Sequence, residues 1–309
     1  MIDLIIKASR PELKPNSLKI YLSALKKLNN NQPITSIDFM KDHESIMKKL
    51  ENKSKNTKKS YLNAVIVALQ ALKEDKELID KYVQLRDGFQ NDYIEMVKAH
   101  KKSEKQETNW VEWKDYISMV DELKSRVQHL NRKKVWTTED IGAYQEYLLT
   151  TLYKHYPVRN DFHDMKVISK REYNKLSNDD KKKSNYLVRG TKGNMLLILN
   201  EYKTSKRYGE KKIEVNSEVA QVIRTYLNHH NTGYLLNQPN NYTEPMTTNG
   251  VTRALQKISM REFDGKKIGS SMLRHMYLSD KYGEDVPNKA EDSYVMGHSL
   301  AQQDDYIKI

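Results

Sequence analysis

The first hundred residues carry apolar side chains at intervals of three and four, and this spacing constrains the fold more than any other feature. Leu18, Leu22 and Leu25, for example, fall on one face of a helix that Ser17 can cap. Three further helices are predicted, over residues 39–50, 57–72 and 77–97. Because short amphipathic helices bury their apolar faces against one another, this part of the chain is predicted to be an all-α bundle.

The stretch that follows the bundle has no apolar periodicity. Residues 99–108 read AHKKSEKQET, which is typical of a charged linker. The sequence therefore predicts a helical domain over residues 1–100, a linker over 101–108 and a second domain over 109–309.

The second domain mixes two periodicities. Thr137 lies three residues before Asp140, as in a capping box that opens a helix. Helices are predicted over residues 113–130, 138–156, 217–230, 249–259, 270–282 and 288–296. Short strands are predicted over residues 164–168, 195–202 and 212–215. The predicted fold class is mainly α with a small antiparallel β-sheet, an α+β arrangement.

The charge balance indicates a polyanionic partner. Fifty-three Lys and Arg residues against 41 Asp and Glu residues leave a net charge of +12. Composition alone is explained equally well by a lysine-rich surface that reflects a biased genome. No apolar run reaches the length of a membrane span, so no membrane partner is expected and an intracellular protein is predicted. The chain has no cysteine and its histidines lack ligand spacing, so neither a metal nor a cofactor is predicted.

The second domain holds chemistry-bearing residues in a fixed order. Breaking a phosphodiester without a metal requires a nucleophile, cations on the non-bridging oxygens and a proton donor for the leaving oxygen. The segments YPVRND, EYKTSKRYGEKK, SSMLRHMYLS and MGHSLAQQDDY supply these groups. Their candidate residues are, in chain order, Arg159, Lys203, Arg274 and His275, and finally His298 and Tyr306.

This order resembles the tyrosine recombinase (phage integrase) family. The most specific pair is LRH at residues 273–275 followed by MGHS at 296–299, with a tyrosine eight residues after the histidine. The resemblance to the catalytic domain of the family runs from about Asn109 onward, and the helical first part resembles its core-binding domain. It implies site-specific cleavage and rejoining of DNA through a 3′-phosphotyrosyl intermediate, without a metal, in the service of a mobile element or a virus.

The resemblance also implies a role for each residue. Arg159 and Arg274 would clamp the scissile phosphate, since paired guanidiniums suit its charge and geometry. Lys203 resembles the hairpin lysine that protonates the leaving 5′-oxygen. His298 resembles the histidine that hydrogen-bonds a phosphate oxygen, and Tyr306 resembles the nucleophile.

Two of these assignments have rivals. Lys206 flanks the same turn as Lys203 and could donate the proton instead, although Lys203 better matches the Lys-Thr/Ser pattern of the family. His275 is a supporting candidate whose plainer interpretation is a hydrogen-bonded core histidine. Ser271 stands where the family has His or Lys, and a serine cannot act as a base near neutral pH. The base would then be water, His298 or another group, or no base would be needed.

The predicted partner is double-stranded DNA, held by a homo-oligomer (a tetramer). Candidate phosphate-contacting residues are Lys53, Lys55, Lys58 and Lys59 in the first domain, with Lys206 and Arg207 in the second. Two other functions remain open. One is a type IB topoisomerase, which uses nearly the same chemistry as a monomer, and the other is a DNA-binding module with a decayed active site.

Overall fold

The structure is a computed structural model that describes residues 2–282, 295–296 and 306–307, with the side chains of residues 93 and 96–98 left aside. The chain divides into two compact units, Met1–Ala99 and His100–Ile309. Each is described by itself below. The assignment of the domains and the linker to separate roles stays a prediction.

Among its described residues, the first unit contains helices and no strand. Its helices are α1 (Ile2–Ser9), α2 (Pro15–Leu28), α3 (His43–Lys49), α4 (Lys55–Leu72) and α5 (Lys76–Lys98). Helix α4 is the central one, with a continuous buried stretch from Ala64 to Leu69, and α1, α2 and α5 pack around it. The buried Tyr82 hydroxyl donates to the carbonyl oxygen of Met40 over 2.7 Å, which ties α5 to the short 3₁₀ turn before α3.

The second unit is also mainly helical. Its helices are α6 (Glu104–Asn109), α7 (Trp113–Val127), α8 (Thr138–His155), α9 (Lys170–Lys175), α10 (Asn178–Lys181), α11 (Ser205–Tyr208), α12 (Ser217–His229), α13 (Thr248–Glu262) and α14 (Ser270–Tyr282). Helix α8 packs against α7, α12 and α13, and buries both aromatic and aliphatic side chains. It opens with the predicted capping box, because Thr137 Oγ1 accepts from Asp140 N while Asp140 Oδ2 accepts from Thr137 N.

Two small sheets complete the second unit. The strands are β1 (Lys166–Ser169), β2 (Tyr186–Arg189), β3 (Met195–Leu199), β4 (Lys211–Glu214), β5 (Asn237–Gln238) and β6 (Asn241–Pro245). The first four form one sheet in chain order, and β5 pairs with β6. The predicted fold class, mainly α with a small sheet, is confirmed.

The four-stranded sheet is mixed, whereas the prediction made it wholly antiparallel. Strands β1 and β2 run parallel, because the connection through α9 and α10 is long enough to cross over. The pairs β2–β3 and β3–β4 are antiparallel. Strand β2 was absent from the prediction, and α6 occupies most of the stretch predicted as a linker, where Ser103 and Gln106 form a capping box. The helix predicted over residues 288–296 falls almost entirely outside the described residues.

Within the described part of the chain, no helix is both long enough and apolar enough to cross a lipid bilayer.

Candidate active site

Arg159 lies in the irregular segment between α8 and β1. Tyr153, buried near the end of α8, donates its hydroxyl to the carbonyl oxygen of Arg159 over 2.7 Å. The ring of Phe162, three residues after Arg159, packs edge-on against the same Tyr153, with 5.4 Å between the ring centroids. This contact holds the segment at a second point. The half-buried Arg159 is therefore held by backbone and aromatic contacts on a loop that has no regular hydrogen-bond ladder of its own.

Arg274 lies in the middle of α14 and is only 1% exposed. Its helix neighbours Leu273 and Met276 are buried too, so the guanidinium reaches the site from within the core. Burial lowers the pKa of Arg274 to about 10 and Arg159 adds to the lowering, while Tyr306 and Asp161 act in the opposite direction. With that pKa the side chain is still a cation at neutral pH.

The two arginines meet at one acceptor. Arg159 Nη1 donates to the carbonyl oxygen of Met296 over 3.3 Å, and Arg274 Nη1 donates to the same oxygen over 3.5 Å. These two residues are 115 positions apart in the chain and come from different elements. Guanidiniums that converge on a single oxygen form a ready-made anion clamp, because their donors are already aimed at a common point.

Tyr306 lies against this clamp. Its ring centroid is 4.7 Å from the guanidinium carbon of Arg274, a cation–π contact. The carbonyl oxygen of Tyr306 lies 2.9 Å from Nδ1 of His275, and the centroids of the two rings are 4.7 Å apart. His100 Nδ1 lies 3.0 Å from the carbonyl oxygen of the next residue, Ile307. Two imidazoles thus hold the carbonyl groups of Tyr306 and of the residue that follows it, provided that each Nδ1 carries its proton.

His275 therefore has a hydrogen-bond partner, as its plainer interpretation required, and that partner is the predicted nucleophile's own backbone. Sequence reasoning missed His100 altogether, since no motif surrounds it.

A carboxylate and a further cation belong to the same neighbourhood. Burial raises the pKa of Asp161, and the positive charges of Arg159, Arg274, His163 and Lys211 oppose that rise. Lys211, the first residue of β4, is 1% exposed. Neither residue was a candidate from the sequence, although Asp161 stands two positions after Arg159 in YPVRND.

Asn185 connects the arginine segment to the lysine turn. It is buried just before β2, and its Nδ2 donates to the carbonyl oxygens of Asp161 and Glu201 over 3.0 and 2.9 Å. Its Oδ1 accepts from the backbone N–H groups of Asn200 and Glu201 over 2.9 and 2.8 Å. One side chain therefore fixes the start of the connection that carries Lys203 relative to the loop that carries the first arginine.

The predicted proton donors lie in the β3–β4 connection. Lys203 is exposed in the turn directly after β3, and Lys206 and Arg207 are exposed in the one-turn helix α11. Gly209 ends this helix with φ +69° and ψ −157°, a conformation that only glycine adopts readily, and so turns the chain into β4. The structure brings these three cations together in the connection between β3 and β4.

The remaining candidates of the second unit are Ser271 and His298. Ser271 is exposed in the first turn of α14, three residues before Arg274. His298 lies outside the described residues.

The lysines predicted to contact phosphate in the first unit surround the start of α4. Lys53 precedes the helix and is exposed, and Ser54 caps it by accepting from Thr57 N. Side chains of α5 hold the other three. Lys55 pairs with Asp92 at 2.7 Å, Lys58 lies over the ring of Phe89 at 5.5 Å, and Lys59 donates to Gln90 over 2.8 Å. Phosphate contact by these three residues would therefore compete with existing contacts, and their role stays a prediction.

Among the described residues, no group of three or more His, Asp or Glu side chains is arranged to hold a metal ion.

Neither a protein-family model nor a curated protein sequence matches the chain. Among solved structures, it is similar to XerA recombinase at 11% sequence identity and a TM-score of 0.42, over 100% of this chain and 93% of that chain. It is also similar to the XerH site-specific recombinase bound to its difH substrate in a pre-cleavage complex. That match has 12% identity and a TM-score of 0.49, over 100% of this chain and 91% of that chain. Both neighbours are recombinases.

Proposed function

We propose that this chain is a site-specific DNA recombinase that cleaves and rejoins DNA through a 3′-phosphotyrosyl intermediate. One observation carries the proposal. Arg159 and Arg274 donate to the same carbonyl oxygen, that of Met296, while the ring of Tyr306 lies 4.7 Å from the second guanidinium. A clamp for one oxygen beside a tyrosine is the arrangement that attack of a phenol on a phosphodiester requires.

The reaction follows from these positions. The Tyr306 oxygen attacks the scissile phosphorus, so that a new P–O bond to tyrosine forms as the bond to the 5′-oxygen breaks. The phenol proton leaves to a base, and the 5′-oxygen takes a proton from the β3–β4 connection, for which Lys203 is the proposed donor. Rejoining is the reverse reaction with another 5′-hydroxyl. Since one phosphodiester is exchanged for another, no external energy source is needed.

Charge stabilisation falls to the arginines. The non-bridging oxygens gain negative charge in the transition state, and two guanidiniums aimed at one point stabilise it without reorganisation. His298 is proposed to add a hydrogen bond to one of these oxygens. Ser271 can donate a hydrogen bond but cannot act as the base, so that duty is assigned to water or to His298.

The proposed partner is double-stranded DNA. The net charge of +12 favours association with a polyanion. Exchange of strands between two duplexes needs four nucleophiles, so a tetramer on DNA is proposed. The proposed biological setting is the integration or excision of the DNA of a mobile element or a virus.

Capture of the intermediate tests this function. The chain is incubated with fragmented DNA in excess chelator, denatured, and the DNA that stays attached is sequenced. Recombinase function predicts recovery of attached DNA that shares one sequence at the cleaved end. It also predicts strand exchange when two duplexes carrying that sequence are mixed. Attachment at unrelated sequences with relaxation of supercoils would indicate a topoisomerase, and the absence of any attached DNA would contradict the proposal.

A further inference from the structure

Strand β4 buries one lysine and exposes the next. Its burial alternates, so that Lys211 and Ile213 face the interior while Lys212 and Glu214 face solvent. Lys211 is only 1% exposed, whereas the side chain of Lys212 is 60% exposed and pairs with Glu210 at 2.8 Å. Lysines are almost never buried to this degree unless other groups balance their charge.

The groups around Lys211 come from three segments of the second unit. Its ammonium lies 4.5 Å from the ring centroid of Tyr202 and 6.0 Å from that of Tyr208, both in the β3–β4 connection. Asp161, from the segment after α8, favours its charged form. Arg159 from the same segment and Arg274 from α14 disfavour it. The Lys211 ammonium therefore lies in the electrostatic field of the arginine clamp.

Among the described residues whose charges act on Lys211, the positive ones outnumber the negative one. Arg159, Arg274 and Lys211 carry three positive charges when the lysine is protonated, and Asp161 carries one negative charge when it is ionised. The excess of positive charge in a largely buried space is unfavourable until an anion enters. A phosphodiester, with its single negative charge, would relieve it.

We propose that Lys211 is a third cation of the phosphate site, a positioning residue whose buried ammonium stabilises the scissile phosphate together with the arginine clamp. The inference rests on the proposed function, since it takes the clamp to bind phosphodiester. The role differs from that of Lys203, whose proton goes to the leaving 5′-oxygen.

The ionisation of Lys211 supports this role. Burial lowers the pKa of Lys211 to about 8, with Arg159 and Arg274 adding to the lowering and Asp161 opposing it. Entry of a phosphate anion would raise that pKa, so the protonated lysine binds phosphate more tightly. Affinity is then constant well below pH 8. It falls as the pH rises through about 8, by up to ~10-fold per pH unit until the pKa of the complex is reached.

The direct test is a titration of lysine side chains in the full chain by ¹³C and ¹⁵N NMR, with dimethyl phosphate as the probe. This diester carries one negative charge throughout the range used, so its own ionisation does not interfere. We expect one lysine signal with a midpoint near pH 8 that is absent from Lys211→Met and present in Lys212→Met. Its midpoint should move upward when dimethyl phosphate is added.

Titration of the Lys211 signal at the ordinary lysine value of ~10.4 would overturn the proposal, and so would a midpoint that dimethyl phosphate leaves unchanged. Neither result depends on DNA cleavage. If Tyr306→Phe still formed a covalent adduct, the proposed function would fail while the NMR result on Lys211 stood.

A second experiment measures the rate of covalent DNA attachment between pH 7 and 9. It uses the DNA sequence recovered in the attachment experiment described above. Lys211→Met should lower the rate at pH 7 by ~10-fold or more and remove its pH dependence in this window. Lys211→Arg keeps the charge without titrating below pH 10, so it should restore much of the rate and stay independent of pH. Lys212→Met should behave as the wild type.

Replacing the leaving 5′-oxygen by sulfur separates positioning from proton donation. A positioning role predicts that sulfur does not rescue Lys211→Met. Full rescue would make Lys211 the leaving-group acid and would overturn the positioning role. Should Lys211→Met fail to fold, the pH profile of Lys211→Arg decides instead, since a rate that still falls as the pH rises through 8 would overturn the proposal.

Discussion

The guanidinium carbon of Arg274 lies 4.7 Å from the ring centroid of Tyr306. The arginine is buried within α14 and the tyrosine is half-buried, so the contact joins a fixed cation to the proposed nucleophile. The same guanidinium shares an acceptor with Arg159. A group that touches both the nucleophile and the predicted phosphate position is expected to tolerate little change.

Arg274→Lys should lower covalent DNA attachment by ~10²-fold or more, because an ammonium keeps the charge and loses the planar fork. Arg261→Lys is the matched control, since Arg261 lies on the surface of α13 and pairs with Glu146. It should attach DNA at the wild-type rate. The measurement is the initial rate of adduct formation, and a rate for Arg274→Lys within threefold of the wild type would remove this arginine from the clamp.

Asn185→Ala should destabilise the second unit by ~2–4 kcal/mol, because two backbone carbonyls and two backbone N–H groups lose their partner inside the protein. The exposed Asn178→Ala should change the free energy of unfolding by less than ~0.5 kcal/mol. Urea denaturation followed by circular dichroism measures both. Equal stability of the two variants would mean that Asn185 does not hold the lysine connection to the arginine loop.

Lys203→Ala should slow cleavage of an ordinary phosphodiester by ~10²–10⁴-fold if this lysine is the general acid. A substrate with a 5′-bridging sulfur has a leaving group that needs little protonation, so the same variant should recover most of its rate on it. Arg159→Ala should show no such recovery, because it stabilises charge on the non-bridging oxygens.

Lys206→Ala tests the competing proton donor, since Lys206 is exposed on the helical turn that follows Lys203. Rescue of Lys206→Ala by sulfur, with Lys203→Ala still slow, would transfer the acid role to Lys206.

The salt dependence of DNA binding tests whether both units contact phosphate. The cut belongs before His100, because its Nδ1 contacts the carbonyl oxygen of Ile307 within the second unit. Fragments 1–99 and 100–309 should each show a shallower decrease of log K with log salt than the full chain, because each releases fewer counterions. Fluorescence anisotropy with labelled duplex gives the slopes. An equal slope for the full chain and one fragment would show that the other unit makes no phosphate contact.

Much of the helical fold was predictable because its signals are local. Helix α14 has the predicted bounds, Ser270–Tyr282, and the capping box of α8 formed as predicted. Both follow from spacing along the chain and from side chains that bond to their own backbone. The order of Arg159, Lys203, Arg274 and Tyr306 was likewise readable, and the structure joins both arginines and the tyrosine.

The parallel pairing of β1 with β2 was not predictable in this way. Strand β2 has only four residues, YLVR, and its register depends on β1, whose paired residues lie twenty positions earlier in the chain. Pairing between distant segments is decided by tertiary packing, which local propensity does not encode.

Lys211 shows a different limit. A lysine is by default placed at the surface, and GEKKIEV reads as a basic turn followed by a strand. The alternation of Lys211 and Ile213 with Lys212 and Glu214 was the available signal, because period-two spacing puts the first pair on one face. His100 offered no signal at all, since its contact with Ile307 spans 207 positions.

The central claim is that Tyr306 forms the covalent bond to DNA, and Tyr306→Phe tests it most directly. This change removes one hydroxyl and no charge, so DNA binding should stay near the wild-type level. The measurement is adduct formation resistant to denaturant, followed by protease digestion and mass spectrometry of the DNA-linked peptide. We predict that the wild type yields a nucleotide-linked peptide modified at Tyr306 and that Tyr306→Phe yields no adduct. An adduct that persists in Tyr306→Phe, or a wild-type peptide modified at another residue, would contradict the account.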